Sequence, residues 1–335
     1  MFKAVLQRML KQDVLEINVA MLGPRRAGKT SMLTAMYERF ENALLAEQVS
    51  EQMALTASPD TAQVLGDNYR KLIQQIRSGK DIAEAITGDS DARSYHFELK
   101  RSITADDVQI KLSFQDYPGG WLMSGRNNKS DPNYQQVLSF VKKSEIVLVA
   151  VDAPYLMEAD GKYHQRRNIP DLIADTIKDA WGDDGDPTPR VVILVPIKCE
   201  KYDSTDRNGL IEATRQGYSE LLSCCQSLEK CAVICAPAQT TGCVKFDHFA
   251  PLEPGDDIPS PVFSMPGSKD ERGYNPRDCS QTLRYCLVYT LMRFVKIGEQ
   301  GAKGVLRKFF KLDDNFVRAA RILAAGCRGT FFKTM

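Results

Sequence analysis

Ile17-Asn18-Val19-Ala20-Met21-Leu22, followed by Gly23-Pro24-Arg25-Arg26-Ala27-Gly28-Lys29-Thr30 and then by Ser31-Met32-Leu33-Thr34-Ala35-Met36-Tyr37-Glu38-Arg39-Phe40, is the stretch that decides the fold. The apolar run reads as a buried strand and the last ten residues as a helix. The octapeptide between them has the full spacing of a phosphate-binding loop, and strand, loop, helix is the context that gives such a match meaning. The residue types follow from the chemistry. Glycines let backbone N–H groups turn inward around phosphate oxygens, and the helix N-terminus adds favourable positive potential. Gly23, Arg26, Ala27, Gly28 and Ser31 are expected to line the phosphates. Lys29 is expected to reach the β- and γ-phosphates, and the Thr30 hydroxyl to bind Mg²⁺.

Downstream, Ser94–Lys100 and Val108–Phe114 alternate apolar and polar residues, the pattern of two antiparallel strands. Near-continuous aliphatic runs at Glu145–Val151, Val191–Val195 and Cys231–Cys235 suit central parallel strands covered on both faces. Helical stretches at 132–143, 168–181 and 208–229 separate them. The expected fold is α/β, a doubly wound, mostly parallel six-stranded sheet with one antiparallel edge strand. Residues 14–242 would form that domain, with a helical insertion at about 41–90. Before it, Phe2, Val5, Leu6, Met9 and Leu10 mark an amphipathic helix over 1–13. After it, 243–335 reads as a Pro-, Gly- and Asp-rich loop to about 280, then a helical extension with a basic end.

Two further signals carry chemistry. The strand ending at Phe114 runs into Gln115-Asp116-Tyr117-Pro118-Gly119-Gly120-Trp121. A carboxylate at Asp116 can hold Mg²⁺ through water, and Gly119, three residues on, can offer its N–H to a γ-phosphate, so the loop would sense that phosphate. Alone, Asp-Tyr-Pro-Gly is also a good β-turn; its position after a strand is what favours the site. The strand at 191–195 ends in Pro196-Ile197-Lys198-Cys199-Glu200. This location resembles the Asn/Thr-Lys-x-Asp segment of GTP-binding proteins, with Ile197 in place of the polar first residue; the resemblance implies that Lys198 packs its stem on the ring and that the Glu200 carboxylate accepts from guanine N1 and N2. A solvated Lys-x-Glu at a strand end is the competing reading. After the last strand, Cys235–Gly242 resembles the small-residue loop that GTPases place there, which implies that Ala238 gives its N–H to the guanine O6; a plain Ala/Pro loop is the competing reading.

Composition narrows the classes. The chain has 335 residues, 43% apolar and 26% charged, with a net charge of +1, so no global field points to nucleic acid. Nine cysteines without paired Cys-x-x-Cys spacing read as reduced, mostly buried thiols rather than a zinc site or a secreted framework. No apolar run is long enough to span a bilayer, and Lys3, Gln7, Arg8 and Lys11 interrupt the N-terminal stripe where a signal peptide would be apolar. A cytoplasmic location is expected. The termini could lie on a membrane surface, but Asp313 and Asp314 beside Phe309, Phe310 and Phe316 favour docking on the domain.

On these residues the chain resembles P-loop GTPases of the translation-factor and Ras-like superclass over roughly 14–240. Asp116–Leu122, the long insertion after the P-loop, Gln239–Val244 and Tyr274-Asn275-Pro276-Arg277-Asp278-Cys279 are similar to the bacterial YcjX-like and double-GTPase groups. The resemblance implies a Ras-like GTPase domain that binds GTP, GDP and Mg²⁺ and acts as a switch, with a protein effector or activator. It also implies a regulatory role, in bacterial defence or stress. Gly120 stands where Ras-like enzymes carry the Gln that orients water, which implies slow hydrolysis without a partner. Arg25, or its neighbour Arg26, could stabilise transition-state charge in cis, although loop geometry favours solvent-facing side chains. Thr87 is the choice for the switch threonine that binds Mg²⁺ and the γ-phosphate, with Ser90 and Thr56 as rivals. An ATP-hydrolysing P-loop enzyme, or a nucleotide-binding scaffold with negligible turnover, remain the alternatives.

Overall fold

The first aliphatic run forms β1 (Leu15–Leu22) of an eight-stranded sheet in the computed structural model. The structure describes residues 13–46, 49–78, 91–100, 108–182, 188–252, 254–265, 273–300, 304–306, 308 and 313–335. In chain order, α1 (Lys29–Ala46), β2 (Ala54–Ala57), α2 (Pro59–Ser78), β3 (Arg93–Lys100) and β4 (Val108–Asp116) come first. They are followed by α3 (Gly119–Asn127), α4 (Pro132–Lys143), β5 (Ile146–Asp152), α5 (Pro170–Trp181) and β6 (Arg190–Ile197). The chain continues through α6 (Glu200–Thr205), α7 (Arg207–Gly217), α8 (Ser219–Ser227), β7 (Cys231–Cys235) and a hairpin of β8 (Lys245–Phe249) and β9 (Pro261–Ser264). It closes with α9 (Cys279–Gly298), α10 (Asp314–Ala325) and β10 (Thr330–Lys333).

The sheet order is β10-β7-β6-β5-β1-β4-β3-β2. The five central strands β7, β6, β5, β1 and β4 are mutually parallel. Every residue of β5 and of β6 is buried, as the unbroken aliphatic runs require of strands covered on both faces. One face packs Met32 and Met36 of α1 with Leu283, Leu287 and Phe294 of α9 and Phe316 of α10. The other packs Leu122 of α3, Tyr134 and Val137 of α4, Ile173 and Ile177 of α5, and Leu221 of α8. Helix starts follow local chemistry: before α4, the Asp131 carboxylate accepts from the N–H of Asn133 at 2.9 Å and Tyr134 at 3.3 Å, with Pro132 in the first turn.

The doubly wound, mostly parallel sheet is as expected, but it has eight strands rather than six. The antiparallel β3–β4 pair is extended by β2, which lies inside the insertion read as helical and pairs with β3. At the far edge the chain's last strand, β10, pairs antiparallel with β7. Both added strands are four residues long, too short to carry a period-two signal. The stretch 208–229 is two helices rather than one, broken where Gly217 gives way to the fully buried Tyr218. The loop from 243 holds the β8–β9 hairpin. The helix expected over 1–13 lies outside the described residues except for its last position. No helix among the described residues is long and apolar enough to cross a membrane.

Parallel register brings the carboxyl ends of β1, β4, β5, β6 and β7 to one edge of the sheet. Such an edge is where open α/β sheets bind ligands.

Candidate functional site

At that edge the loop after β1 takes a shape that needs its glycines. Gly23 has φ 147° and Gly28 φ 105°, and a Cβ on Gly23 would sit 3.1 Å from the Ala150 carbonyl oxygen of β5. Arg26 also lies in the left-handed region, at φ 61°. Because α1 begins at Lys29, the N–H groups of Lys29, Thr30 and Ser31 have no acceptor within the helix. The Lys29 side chain is only 7% exposed; its Nζ donates to the Gly23 carbonyl at 3.2 Å and lies 3.9 Å from Asp116 Oδ1. Burial lowers its pKa, an effect that Asp116 opposes. A cation so desolvated gains strongly from an anionic ligand.

Asp116, the last residue of β4, accepts the Thr30 hydroxyl at 2.8 Å through Oδ2. The parallel register that sets Ala20 beside Gln115 produces this contact. Gly119 opens α3 and is pressed against the phosphate loop: a Cβ there would overlap the Pro24–Arg25 backbone. The Lys29 ammonium also lies 5.5 Å from the centroid of the Tyr117 ring. Arg25, Arg26 and Gly120 are exposed, Ala27 is buried, and Ser31 is half-buried. Lys29, Thr30, Asp116 and Gly119 are thus brought together. Thr87 and Ser90 fall outside the described residues. Thr56 lies on the edge strand β2, two strands from β4, and its hydroxyl donates to the Glu98 carbonyl at 3.4 Å.

The second half of the edge is built from the ends of β5, β6 and β7. Lys198, at φ 55°, donates through Nζ to Asp152 Oδ2 at 2.6 Å and to the Arg26 carbonyl at 3.0 Å. It therefore ties the loop after β6 to the phosphate loop. Ile197 packs its Cδ1 toward Gly28. Asp152 is fully buried, and its backbone N–H and carbonyl are both bonded by the Asn168 amide, at 2.8 and 3.1 Å. Neither Asp152 nor Asn168 was singled out from the sequence. A carboxylate ending the apolar run 146–151 is the signal that could have found the first.

Glu200 is 2% exposed. Its Oε1 accepts from the Thr241 N–H at 2.9 Å, the Thr241 hydroxyl at 2.8 Å and the Gly242 N–H at 3.2 Å. Burial raises its pKa, and the bonds from Thr241 oppose that. One oxygen of the expected base reader is therefore committed to the neighbouring loop. The Ala238 N–H, expected to meet a base, donates to the Pro196 carbonyl at 2.8 Å. All nine cysteines are free and six are buried. No group of three or more His, Cys, Asp or Glu among the described residues could hold a metal. Thr30 and Asp116 offer oxygens that suit a hard divalent ion.

Comparison with known proteins places this edge in context. The model of the family described as Double-GTPase 2 matches residues 17–228, more than half of the chain. No curated protein matches. Among solved structures, the GTPase-like domain of S. cerevisiae Ski7 bound to GDP and inorganic phosphate is 14% identical, with 69% of this chain and 44% of that one covered at a TM-score of 0.36. Methanosarcina barkeri Roco2 RocCORdC bound to GDP is 12% identical, with 93% of this chain and 69% of that one covered at a TM-score of 0.33. The chain therefore spans less than half the length of the first of these.

Proposed function

The chain belongs to the Double-GTPase 2 family, and from that premise we propose that it is a Mg²⁺-dependent guanine-nucleotide switch that slowly converts GTP and water to GDP and phosphate. The observation that carries this reading is the buried Lys29, held over a glycine-shaped phosphate loop beside the Thr30–Asp116 pair. Lys29 and the N–H groups at the start of α1 bind the β- and γ-phosphates. The Thr30 hydroxyl and, through water, Asp116 suit a hard divalent cation, which would neutralise charge on the transferred phosphoryl group. Gly119, against Pro24 and Arg25, is set to register whether the γ-phosphate is present. Thr87 is the proposed partner of Mg²⁺ and the γ-phosphate from the switch segment. The proposed base readers are Lys198 and the second oxygen of Glu200.

Slow turnover follows from Gly120, which has no side chain to orient water. Exposed Arg25 is the in-cis candidate for stabilising transition-state charge, and a protein activator is the proposed partner. A second reading, a P-loop nucleotidase without guanine preference, is favoured by the Ala238 N–H being spent on Pro196.

Equilibrium binding of fluorescent GTP with Mg²⁺, competed by unlabelled GTP, GDP and ATP, separates these. Competition by GTP and GDP but not ATP supports guanine recognition. Equal competition by ATP leaves the general nucleotidase, and absence of binding overturns both. Turnover at saturating Mg²⁺-GTP then distinguishes a slow enzyme from a scaffold.

A further inference from the structure

Tyr274–Asp278 lies beyond the family-matched residues, yet it runs along the outside of the loop after β7. The Gln239 N–H donates to the Arg277 carbonyl and the Arg277 N–H to the Gln239 carbonyl, both at 3.0 Å, a one-pair antiparallel bridge. The Asn275 N–H donates to the Thr241 carbonyl at 3.0 Å. Gly242, at φ 73°, lies so close beneath the Asn275 carbonyl that a Cβ would overlap it. The same five residues reach outward to other elements. Asn275 Oδ1 accepts from Arg39 of α1 at 2.8 Å, and the Tyr274 ring meets Tyr69 of α2 edge-on at 5.4 Å between centroids. Asp278 pairs with Arg207 at 3.0 Å and Arg328 at 2.9 Å.

These contacts form one connected path. It runs from α1, the helix that follows the phosphate loop, through Arg39, Asn275 and Thr241 to the carboxylate of Glu200. A second branch runs from Asp278 through Arg207 and Asp203 to the Gln239 side chain, with Asp203 accepting from Gln239 Nε2 at 2.8 Å. The loop after β7 is held from both of its ends by the same short segment. Loops at ligand edges hold their geometry only when such supporting contacts lock them.

We propose that Tyr274–Asp278 is a positioning strap that fixes Gln239–Gly242, and with it Glu200, at a set spacing from the phosphate-loop helix, so that base and phosphates are gripped together. The inference rests on the nucleotide-site reading above. Its signature is a loss confined to base-dependent binding. The outer anchors can be removed without touching the phosphate loop, by combining Asn275→Ala with Asp278→Asn in the full chain. Competition against fluorescent GDP then compares GTP with inorganic tripolyphosphate, which has phosphates and no base.

The expected result is about tenfold weaker GTP and GDP binding, the worth of one or two charge-assisted hydrogen bonds, with tripolyphosphate unchanged. Gly242→Ala, which strikes the same contact from the opposite side, should give the same split. Unchanged GTP affinity in both variants overturns the strap. So does a parallel loss of tripolyphosphate binding, which would make the segment a support of the whole fold. Absence of GTP binding by the unaltered chain, measured first, is the separate failure of the nucleotide reading itself.

Discussion

On the proposed phosphate side, the first N–H groups of α1 are left without an intrahelical acceptor; on the proposed base side, the backbone N–H groups of residues 236–242 are largely spent on the protein. Those of Ala238, Gln239, Thr241 and Gly242 donate to Pro196, Arg277 and Glu200. Phosphate binding asks for a backbone shape and one buried lysine, which a short glycine-containing loop and the first residue of its helix supply from consecutive positions. Base reading asks for side chains from three strand ends to meet, and each needs its own support. The difference predicts that changes on the phosphate side abolish binding outright, whereas changes on the base side grade it.

The largest effect is expected at Lys29. Lys29→Met should weaken GTP by more than about a hundredfold, since it would remove the proposed charge-assisted contact to two phosphates. It should leave the ligand-free fold as stable as before or slightly more so, because burial already disfavours the ammonium. Equilibrium GTP binding and urea unfolding of the same variant check both halves. Retained binding would remove Lys29 from the site; a large loss of stability would make it a structural ion pair with Asp116.

Next comes Gly119→Ala, whose Cβ would overlap the Pro24–Arg25 backbone. Forcing the two loops apart should cost about 1–3 kcal/mol in urea unfolding, the range for overpacking a close contact. It should also narrow the difference between GTP and GDP affinity, since the contact joins the phosphate loop to the loop after β4. Unchanged stability would show that these loops separate freely, and the phosphate-sensing role of Gly119 would go with it.

The same contrast explains what could be read from the sequence. The phosphate loop, its strand and its helix were legible because their signals are local: glycine spacing, one aliphatic run, one helical run. Asp116 and Gly119 were legible as a spacing at a strand end. The base side was legible only in outline. Lys198 and Glu200 stand at the expected strand end, but nothing in Ile197–Glu200 indicates that Oε1 would be taken by Thr241 and Gly242. Asp152 and Asn168 act across 16 residues and Asn275 across 236, and no periodicity encodes such pairs. The edge strands β2 and β10 escaped for a related reason: four-residue strands are defined by the partner they find.

On the base side, Asp152→Ala tests the Lys198 tether. It leaves the ammonium with the Arg26 carbonyl as its remaining hydrogen-bond acceptor. Breaking a fully buried pair costs several kcal/mol, but Lys198 is 23% exposed and can recruit water, so about 1–2 kcal/mol is expected in urea unfolding. GTP affinity should fall several-fold as Lys198 loses its fixed position at the proposed base site. Asp152→Asn, which retains an oxygen acceptor, should recover part of both. Equal losses in Ala and Asn variants would show that the charge matters and the hydrogen bond does not.

The smallest and most diagnostic effect belongs to Glu200→Gln. The amide oxygen can still accept from Thr241 and Gly242, so stability at neutral pH should change by less than about 1 kcal/mol. The amide cannot accept twice from guanine N1 and N2, so the preference for GTP over ATP should shrink while tripolyphosphate binding stays put. The pH dependence has a definite sign. Burial raises the Glu200 pKa above its ordinary 4.5, so the native state holds this proton more tightly than the unfolded chain does. Its contribution is therefore fully present below 4.5 and is lost as pH rises through the higher native value. Glutamine does not titrate, so unfolding free energy of the variant relative to the unaltered chain should climb with pH across that window and then level off. A difference that falls with pH instead would mean that the three hydrogen bonds on Oε1 outweigh burial. Glu200 would then be a carboxylate held ionised by the loop after β7, better suited to accept from a base than its burial alone suggests.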